Sequence, residues 1–204
     1  MDYQDLRVEY ESAGLTPADV AENPFDEFRS WLAEAVGHEV AEPNTMMLAT
    51  ANSSGRPSVR AVLLKDFSDQ GLLFFTNYES EKGRDIAVNP QASVALLWHP
   101  LHRQVRISGS IRKVSSDVSD AYFDTRPEPA RRGAVASPQS RVIPEDWLDD
   151  QAGAVADLRR PTNWGGYLLE PDMFEFWQGQ PSRLHDRLRY RLADTVWTID
   201  RLAP

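Results

Sequence analysis

The chain has 204 residues, enough for one domain with a proper core or at most two small domains. Its 31 acidic and 22 basic residues give a net charge of −9, which argues against a general binder of nucleic acids or anionic membranes. The lack of cysteine excludes disulfides, thiolate metal sites and cysteine nucleophiles. The histidines have no metal-ligand spacing, so no metal is expected. No apolar run is long enough to span a membrane and the acidic N-terminus does not look like a signal peptide, so we expect a soluble cytoplasmic protein.

The first 22 residues are predicted to form a mobile N-terminal arm, and residues 23–204 a single domain. The first firm helix begins where Asn23 can cap and Pro24 can occupy the first helical position without losing a hydrogen bond. The pattern predicts a helix that ends near Gly37. Its apolar residues recur at helical spacing and are expected in the core: Phe25, Phe28, Trp31, Leu32 and Val36.

Short apolar runs separated by turn residues follow from Met46, which is typical of an antiparallel sheet or barrel. The predicted strands are Met46–Ala51, Ser58–Phe67, Leu72–Asn77, Ala92–Trp98, Gln104–Val114, Tyr167–Trp177, Arg183–Leu192 and Val196–Leu202. The predicted helices are Glu81–Val88, Ser116–Phe123 and Glu145–Leu158, and Arg126–Val142 is predicted to be irregular. This succession indicates an α+β fold built around a barrel.

The segment from Trp177, reading WQGQPSRLHDRLRYR, combines basic residues with an aromatic and a flexible turn. In an extended chain, alternate residues share a face, which would gather Arg183, His185, Arg187, Arg189 and Arg191 into a row of cations. Like charges at such spacing repel unless they are solvated or face anions. Two interpretations therefore stay open: a solvated edge strand protected by its charges, or a site for a phosphorylated planar molecule.

Other segments carry weaker signals for the same kind of site. Arg60 and Lys65 flank an apolar strand but have opposite parity, so both reach one ligand only if the strand bends or ends before Lys65. The segment Phe75–Lys82 offers hydroxyls, backbone N–H groups and a lysine at a helix start, which suits a phosphate or merely a helix cap. Polar pairs that could contact a ring or a second phosphate, or simply be solvated, are Gln104 with Arg106 and Tyr122 with Arg126.

In this order the motifs resemble the pyridoxamine 5′-phosphate oxidase family, also called pyridoxine 5′-phosphate oxidase. The resemblance runs through RVEY, NPFDEFRSWL, RAVLLK, LFFTN, SEKG, RQVRISG, YFDTRP, SPQSR, GGY, EFWQG, RLHDR and the final IDRLAP, and it covers nearly the whole chain. It implies an FMN-binding split β-barrel with peripheral helices, assembled as a homodimer with FMN at the subunit interface.

The resemblance also implies roles for individual residues. The positions that match FMN-binding residues are Arg60, Ala61, Val62, Leu63, Leu64, Lys65, Phe75, Thr76, Lys82, Gln104, Gln139, Ser140, Trp177 and Arg187. Those that match substrate-binding residues are Arg7, Tyr10, Lys65, Tyr122, Arg126, Arg183 and His185, of which Arg183 and His185 lie beside the reacting ring and are expected to be catalytic. The arm from Arg7 to Tyr10 matches a segment that can close over the site.

The implied reaction oxidises pyridoxamine or pyridoxine 5′-phosphate to pyridoxal 5′-phosphate. A hydride passes from C4′ of the vitamer to the flavin, oxygen then reoxidises the flavin, and hydrogen peroxide forms. The flavin carries the redox chemistry while the protein supplies position and electrostatics. Two alternatives are a related FMN oxidase acting on another planar substrate, as in phenazine biosynthesis, and a non-catalytic protein that binds FMN or pyridoxal phosphate.

The chain departs from the family pattern at three places. Ala130 replaces a serine expected at the substrate phosphate, and Glu81 replaces an arginine expected near FMN, which substitutes repulsion for attraction. The connection between Ser140 and Trp164 is several residues short. Arg131 and Arg132 are candidates to compensate for the hydroxyl lost at Ala130.

Overall fold

The computed structural model describes residues 14–204, apart from the side chains of residues 148–150 and 152. Arg7, Tyr10 and the greater part of the predicted arm lie outside the described residues. The helices are α1 (Pro24–Gly37), α2 (Glu81–Val88), α3 (Ser116–Thr125), α4 (Glu128–Ala136) and α5 (Trp147–Ala154). The strands are β1 (Thr45–Ala51), β2 (Pro57–Leu63), β3 (Asp66–Ser68), β4 (Gly71–Asn77), β5 (Gln91–Trp98), β6 (Arg103–Lys113), β7 (Trp164–Gln178), β8 (Asp186–Ala193) and β9 (Val196–Arg201).

The strands form one nine-stranded sheet in the order β2-β1-β5-β6-β7-β4-β3, with β8 paired to β7 and β9 paired to β8. The 15-residue strand β7 lies beside β6 in this order and also has two successive antiparallel partners: its first part, from Trp164 to Leu169, pairs with β4, and its last part, from Met173 to Gln178, pairs with β8. Sheet and helices together confirm the α+β class predicted from the sequence.

The described chain divides into two compact units. The first unit contains residues 14–47, 93–108 and 171–204, and the second contains residues 48–92 and 109–170. Each unit has its own buried apolar residues, because aromatic and aliphatic side chains leave water on folding. No helix in the described part of the chain is long and apolar enough to cross a membrane.

Helix α1 lies in the first unit and begins as predicted. The Asn23 side chain accepts a hydrogen bond from the Phe25 N–H, with Pro24 at the first position of the helix. The ring of Phe25 packs edge-on against Phe174 at 5.1 Å between centroids, and Trp31 packs in the same way against Phe176 at 5.1 Å. The predicted stripe is wrong at its end: Val36 is 58% exposed, and Ala35, one turn after Trp31, is buried instead.

The second unit is built around the first part of β7 and the strand β4. Phe74 and Tyr167 are fully or nearly buried, with ring centroids 5.7 Å apart. Helix α2 begins at the N-cap Ser80, whose side chain accepts from the Gly83 N–H, and it has the predicted bounds. The cap satisfies a backbone donor that the first turn leaves without a helical partner.

Several predicted elements differ in the structure. The strand predicted over Ser58–Phe67 stops at Leu63 and resumes as β3 at Asp66, and Leu64 between them is buried, with 5% of its surface exposed. The segment Arg126–Val142 is not irregular throughout, since it contains α4. None of the side chains of α4 is fully buried, and Pro129 and Gly133 weaken the helical signal of this nine-residue segment. The helix predicted over Glu145–Leu158 is shorter, and α5 covers Trp147–Ala154.

Gly71 begins β4 at a position that admits no other residue without strain. Its φ is +141°, and a Cβ there would lie 2.0 Å from the Leu169 carbonyl oxygen. We expect Gly71→Ala to lower the free energy of unfolding by about 3 kcal/mol, since both backbone strain and a clash with backbone atoms result. Chemical denaturation followed by circular dichroism measures the loss. Gly55→Ala is the control, because Gly55 has φ +78° but nothing within 4 Å of the added Cβ, so a loss at least as large as that of Gly71→Ala would contradict the role of the clash.

Candidate functional site

The second unit contains a cavity of about 800 Å³. Its lining includes most of the residues predicted to bind FMN or substrate: Arg60, Ala61, Val62, Leu63, Lys65, Phe75, Thr76, Lys82, Tyr122, Arg126, Gln139 and Ser140. The lining also contains residues that were not predicted to bind a ligand: Ser58, Val59, Thr125, Pro127 and Trp164. Glu81 and Ala130, the two departures from the family pattern, border the same space.

Strand β2 shapes one wall of the cavity. Successive residues from Ser58 to Leu63 border it, so the strand contributes backbone as well as alternate side chains. Because β2 ends at Leu63, Lys65 lies beyond the strand and is not bound by its alternation. Arg60 and Lys65 therefore both line the cavity. This meets the condition stated from the sequence, that the strand ends before Lys65 if both residues are to reach one ligand. Leu64 does not belong to the lining and is buried in the core.

Lys82 lies in the second unit in a cluster of oxygen atoms. Its Nζ lies 3.2 Å from both Thr76 Oγ1 and Ser80 Oγ, and 3.3 Å from Gln139 Oε1. The side chain is only 7% exposed. Burial, with a smaller contribution from the positive charge of Arg60, lowers the pKa of Lys82 to about 8, while Glu81 opposes the shift. The site thus holds a lysine whose charge is incompletely compensated.

Arg60 is held by a closed group of polar side chains that joins β1, β2 and α2. Its guanidinium donates to Thr50 Oγ1 at 2.7 Å and to Ser58 Oγ. Both hydroxyls donate in turn to the Asp85 carboxylate, at 2.7 Å from Thr50 and 3.1 Å from Ser58. The carboxylate lies 4.0 Å from the Arg60 guanidinium. Thr50, Ser58 and Asp85 were missed by the sequence reading, because residues far apart in the chain give no joint signal.

Aromatic rings form another wall. Phe75 stacks on Tyr122 with centroids 3.9 Å apart and on Trp164 at 5.6 Å. The Arg126 guanidinium lies over the Trp164 ring, 4.7 Å from its centroid. Arg126 Nη1 is buried and has no hydrogen-bond partner in the described structure, and burial lowers the pKa of this guanidinium. A cation held in place but left without an acceptor is suited to an anionic ligand.

The proposed compensation for Ala130 receives no support from the described contacts. Arg132 is engaged with the Glu128 carboxylate at 2.8 Å and with the Val155 carbonyl oxygen. Neither Arg131 nor Arg132 borders the cavity.

The first unit holds the other predicted site residues, none of which lines the cavity of the second unit: Gln104, Trp177, Arg183, His185 and Arg187. Trp177 and His185 are neighbours with ring centroids 4.7 Å apart. The Gln180 N–H donates to His185 Nδ1 at 3.1 Å. Arg183 is exposed in the turn Pro181–Arg183, where Ser182 and Arg183 both have positive φ, 56° and 60°.

The predicted row of five cations is wrong in part. Strand β8 begins at Asp186, because the positive φ values at residues 182 and 183 prevent an extended chain there, so Arg183 and His185 do not join the row. Within β8 the alternation is as predicted, with Leu188 and Tyr190 fully buried. The row is also neutralised by the protein itself: Arg187 pairs with Glu175 at 3.0 Å, and Arg189 with Asp200 at 2.8 Å.

Asp186 anchors the turn that carries Arg183 and His185. Its buried carboxylate accepts from the Leu15 N–H at 3.0 Å and from Gln180 Nε2 at 2.8 Å, and it pairs with Arg201. One acid thus fixes three separate stretches of the first unit. Among residues 14–204, no group of three or more His, Cys, Asp or Glu side chains could hold a metal ion.

Comparison with known proteins agrees with these features. Residues 32–149 match the family model described as pyridoxamine 5′-phosphate oxidase, and residues 164–204 match the pyridoxine 5′-phosphate oxidase C-terminal dimerisation region. The chain is 51% identical to the pyridoxine/pyridoxamine 5′-phosphate oxidase of Bordetella pertussis, with full coverage of both chains. It is 53% identical to the protein of the same name from Burkholderia lata, with 98% of each chain covered.

Two solved structures are also similar. PhzG from Burkholderia lata 383, in complex with tetrahydrophenazine-1-carboxylic acid, is 34% identical with a TM-score of 0.88, covering 94% of this chain and 98% of its own. A pyridoxamine 5′-phosphate oxidase-related, FMN binding protein from Nostoc punctiforme is 21% identical with a TM-score of 0.72, covering 93% and 98%, and shows the fold alone. On these matches the chain belongs to the pyridoxamine 5′-phosphate oxidase family, which confirms the FMN-binding split-barrel fold and the FMN cofactor expected from the sequence.

Proposed function

We propose that this protein is an FMN-dependent oxidase that converts pyridoxamine 5′-phosphate and pyridoxine 5′-phosphate to pyridoxal 5′-phosphate, with oxygen as the acceptor. The observation that carries the proposal is that one cavity contains two separately held cationic groups beside stacked aromatic rings. Lys82 and Arg60 form one group, and Arg126 over Trp164 forms the other. Two phosphorylated planar molecules would supply an anion to Lys82, whose Nζ contacts neutral oxygens, and another to Arg126, whose buried Nη1 has no hydrogen-bond partner.

The residues present fit FMN. Lys82, Arg60 and the Thr76 hydroxyl offer donors to its phosphate, and the low pKa of Lys82 reflects a buried charge that an anion would stabilise. The backbone and apolar side chains of β2 suit the flat flavin ring, since cofactor sites are mostly apolar with few placed polar groups. When bound, FMN supplies the capacity to accept a hydride and to pass electrons to oxygen.

The substrate phosphate is assigned in this proposal to the second cationic group. Arg126 has a buried nitrogen without an acceptor, and Tyr122 and Lys65 border the same space. The Trp164 ring under the Arg126 guanidinium helps to fix the direction of its fork. Ala130 adds no hydroxyl, so binding relies on charge more than on neutral hydrogen bonds.

Arg183 and His185 are proposed to orient the reacting ring. They lie in the first unit, on a turn held by Asp186 and by the Gln180 N–H bond to His185. Since Nδ1 accepts that bond, the neutral imidazole carries its proton on Nε2, from which it can donate to a substrate oxygen. The match of residues 164–204 to a dimerisation region supports a homodimer, and we propose that the complete site forms at its subunit interface.

The test is to purify the protein, record its visible spectrum with FMN and assay oxygen-dependent formation of pyridoxal 5′-phosphate from both vitamers. Flavin absorption with turnover of at least one vitamer is the expected result. A flavin-loaded protein that turns over neither vitamer would overturn the proposal.

A second candidate is an oxidase acting on a reduced phenazine acid. Two observations favour it: the similarity to PhzG, whose structure contains tetrahydrophenazine-1-carboxylic acid, and Ala130, which offers no hydroxyl to a substrate phosphate. Competition between this acid and pyridoxine 5′-phosphate in the same assay separates the two functions. Faster oxidation of the phenazine acid, unaffected by the vitamer, would favour the second candidate.

FMN binding should weaken in alkaline solution. With a pKa of about 8, Lys82 is charged below pH 8 in the free protein and attracts the phosphate, which is a dianion above about pH 6. Above pH 8 the free lysine is neutral, so binding must first take up a proton and the dissociation constant rises by up to about tenfold per pH unit. Fluorescence titration of FMN between about pH 6.5 and 9.5 measures this. Lys82→Gln should remove the decline, and a wild-type profile that is flat across this range would contradict the explanation.

A further inference from the structure

Asp85 is a buried carboxylate that does not border the cavity, but it contacts Ser58, which does. It is 7% exposed and accepts hydrogen bonds from Thr50 and Ser58. Both of these hydroxyls also accept from Arg60, so the acid and the arginine share two bridging groups. Asp85 and Lys82 lie one turn apart on α2. Asp85 is thus linked to Arg60 through two hydroxyls and lies on the same helix as Lys82, the second cation proposed to bind the FMN phosphate.

The geometry explains why a carboxylate is needed there. Each hydroxyl has a single proton, and the Asp85 oxygen takes both, so the hydroxyl lone pairs are directed at the Arg60 guanidinium. A neutral side chain at this position accepts hydrogen bonds less strongly. One hydroxyl could then rotate, so that its lone pairs no longer face Arg60. The negative charge also lies 4.0 Å from the Arg60 guanidinium and partly compensates its positive charge.

We propose that Asp85 is a positioning residue for the cofactor phosphate: through Thr50 and Ser58 it orients Arg60, which together with Lys82 is proposed to bind that phosphate. The inference rests on the proposed placement of the FMN phosphate beside Lys82 and Arg60. Asp85 does not line the cavity, so it is not expected to touch the cofactor or the substrate. Its role is to fix the direction and charge of groups that do.

The test compares FMN with riboflavin, which lacks the phosphate, in titrations of flavin fluorescence. Asp85→Asn keeps the shape and one acceptor oxygen but removes the charge. We expect it to weaken FMN binding on the order of 10-fold, as for the loss of a hydrogen bond to a charged group, while riboflavin binding stays unchanged. Thr50→Val, which removes one bridging hydroxyl and conserves volume, should act in the same direction.

Asp69→Asn is the matched control, because it removes the same charge from an exposed position outside the cavity lining. It should leave both affinities at the wild-type values. Thermal unfolding of each apoprotein monitors folding, so that only variants with a cooperative transition are compared.

The outcomes are distinct. If Asp85→Asn weakens the binding of FMN and of riboflavin equally, or changes the binding of neither, Asp85 does not act through the phosphate site and the inference is overturned. If the wild-type protein itself binds riboflavin as tightly as FMN, the phosphate site beside Lys82 and Arg60 fails, and the role of Asp85 fails with it. If Asp85→Asn lowers the affinity for FMN alone, the result supports both the phosphate site beside Lys82 and Arg60 and the positioning role of Asp85.

Discussion

Replacing Lys82 with methionine is expected to weaken FMN binding about 100-fold, the upper part of the range for a lost hydrogen bond to a charged group. The lysine is 7% exposed, and its Nζ is surrounded by hydroxyl and amide oxygens rather than by a carboxylate. No carboxylate within this cluster therefore pairs with the ammonium. A bound phosphate dianion would be strongly stabilised by this charge.

The same variant should not lose stability in the absence of the cofactor. Burial already disfavours the charged ammonium, as the pKa of about 8 shows, and methionine fills a similar volume without charge. Isothermal titration with FMN and thermal unfolding of the apoprotein measure the two quantities. Lys113→Met is the control, since Lys113 is exposed and outside the cavity lining. An unchanged FMN affinity in Lys82→Met would place the phosphate elsewhere.

Changes at Arg183 and His185 should act on turnover and leave FMN binding intact. For Arg183→Ala and for His185→Asn we expect kcat/KM for pyridoxine 5′-phosphate to fall between about 100-fold and 1000-fold, as when a group that orients or polarises the substrate is removed. Asparagine is chosen because its amide oxygen can still accept the Gln180 N–H that His185 Nδ1 now accepts. The turn is thus preserved while the Nε2 donor is lost.

Steady-state kinetics with both vitamers, together with the flavin content of each variant, tests this expectation. Arg191→Ala serves as the control, because Arg191 is an exposed cation farther along the same chain segment. If the control loses as much activity as Arg183→Ala, general electrostatics rather than a specific contact explains the effect. Variants that lose FMN in proportion to activity would assign these residues to the cofactor instead.

Elements with a strong local signal could be predicted from the sequence. Helix α1 has a cap, a proline at its first position and a buried stripe, and α2 has the cap Ser80 and clear bounds. Helix α4 was not predicted, because it is only nine residues long and contains Pro129 and Gly133, two residues that disfavour the interior of a helix. The start of β8 was misplaced because positive φ at Ser182 and Arg183, which are not glycines, has no reliable mark in a sequence.

The candidate site was predictable only where one segment carries the chemistry by itself. The RAVLLK strand and the lysine at the start of α2 were found in this way, and both border the cavity. Asp85 and Trp164 were not found, since an acid in a helix and an aromatic at a strand start are common in any core. Their significance depends on which residues of other elements they meet, and a single sequence does not contain that information.

The turn before β8 combines backbone strain with a residue that we expect to contact the substrate. Two successive residues without glycine's freedom, Ser182 and Arg183, occupy the left-handed region, which costs about 1 to 3 kcal/mol for each. A glycine at residue 182 would relieve part of that strain and make the fold more robust to heat. The same glycine would make the backbone beside Arg183 more flexible, so the guanidinium would no longer be held in one direction. A change that raises thermal stability here is therefore expected to lower activity.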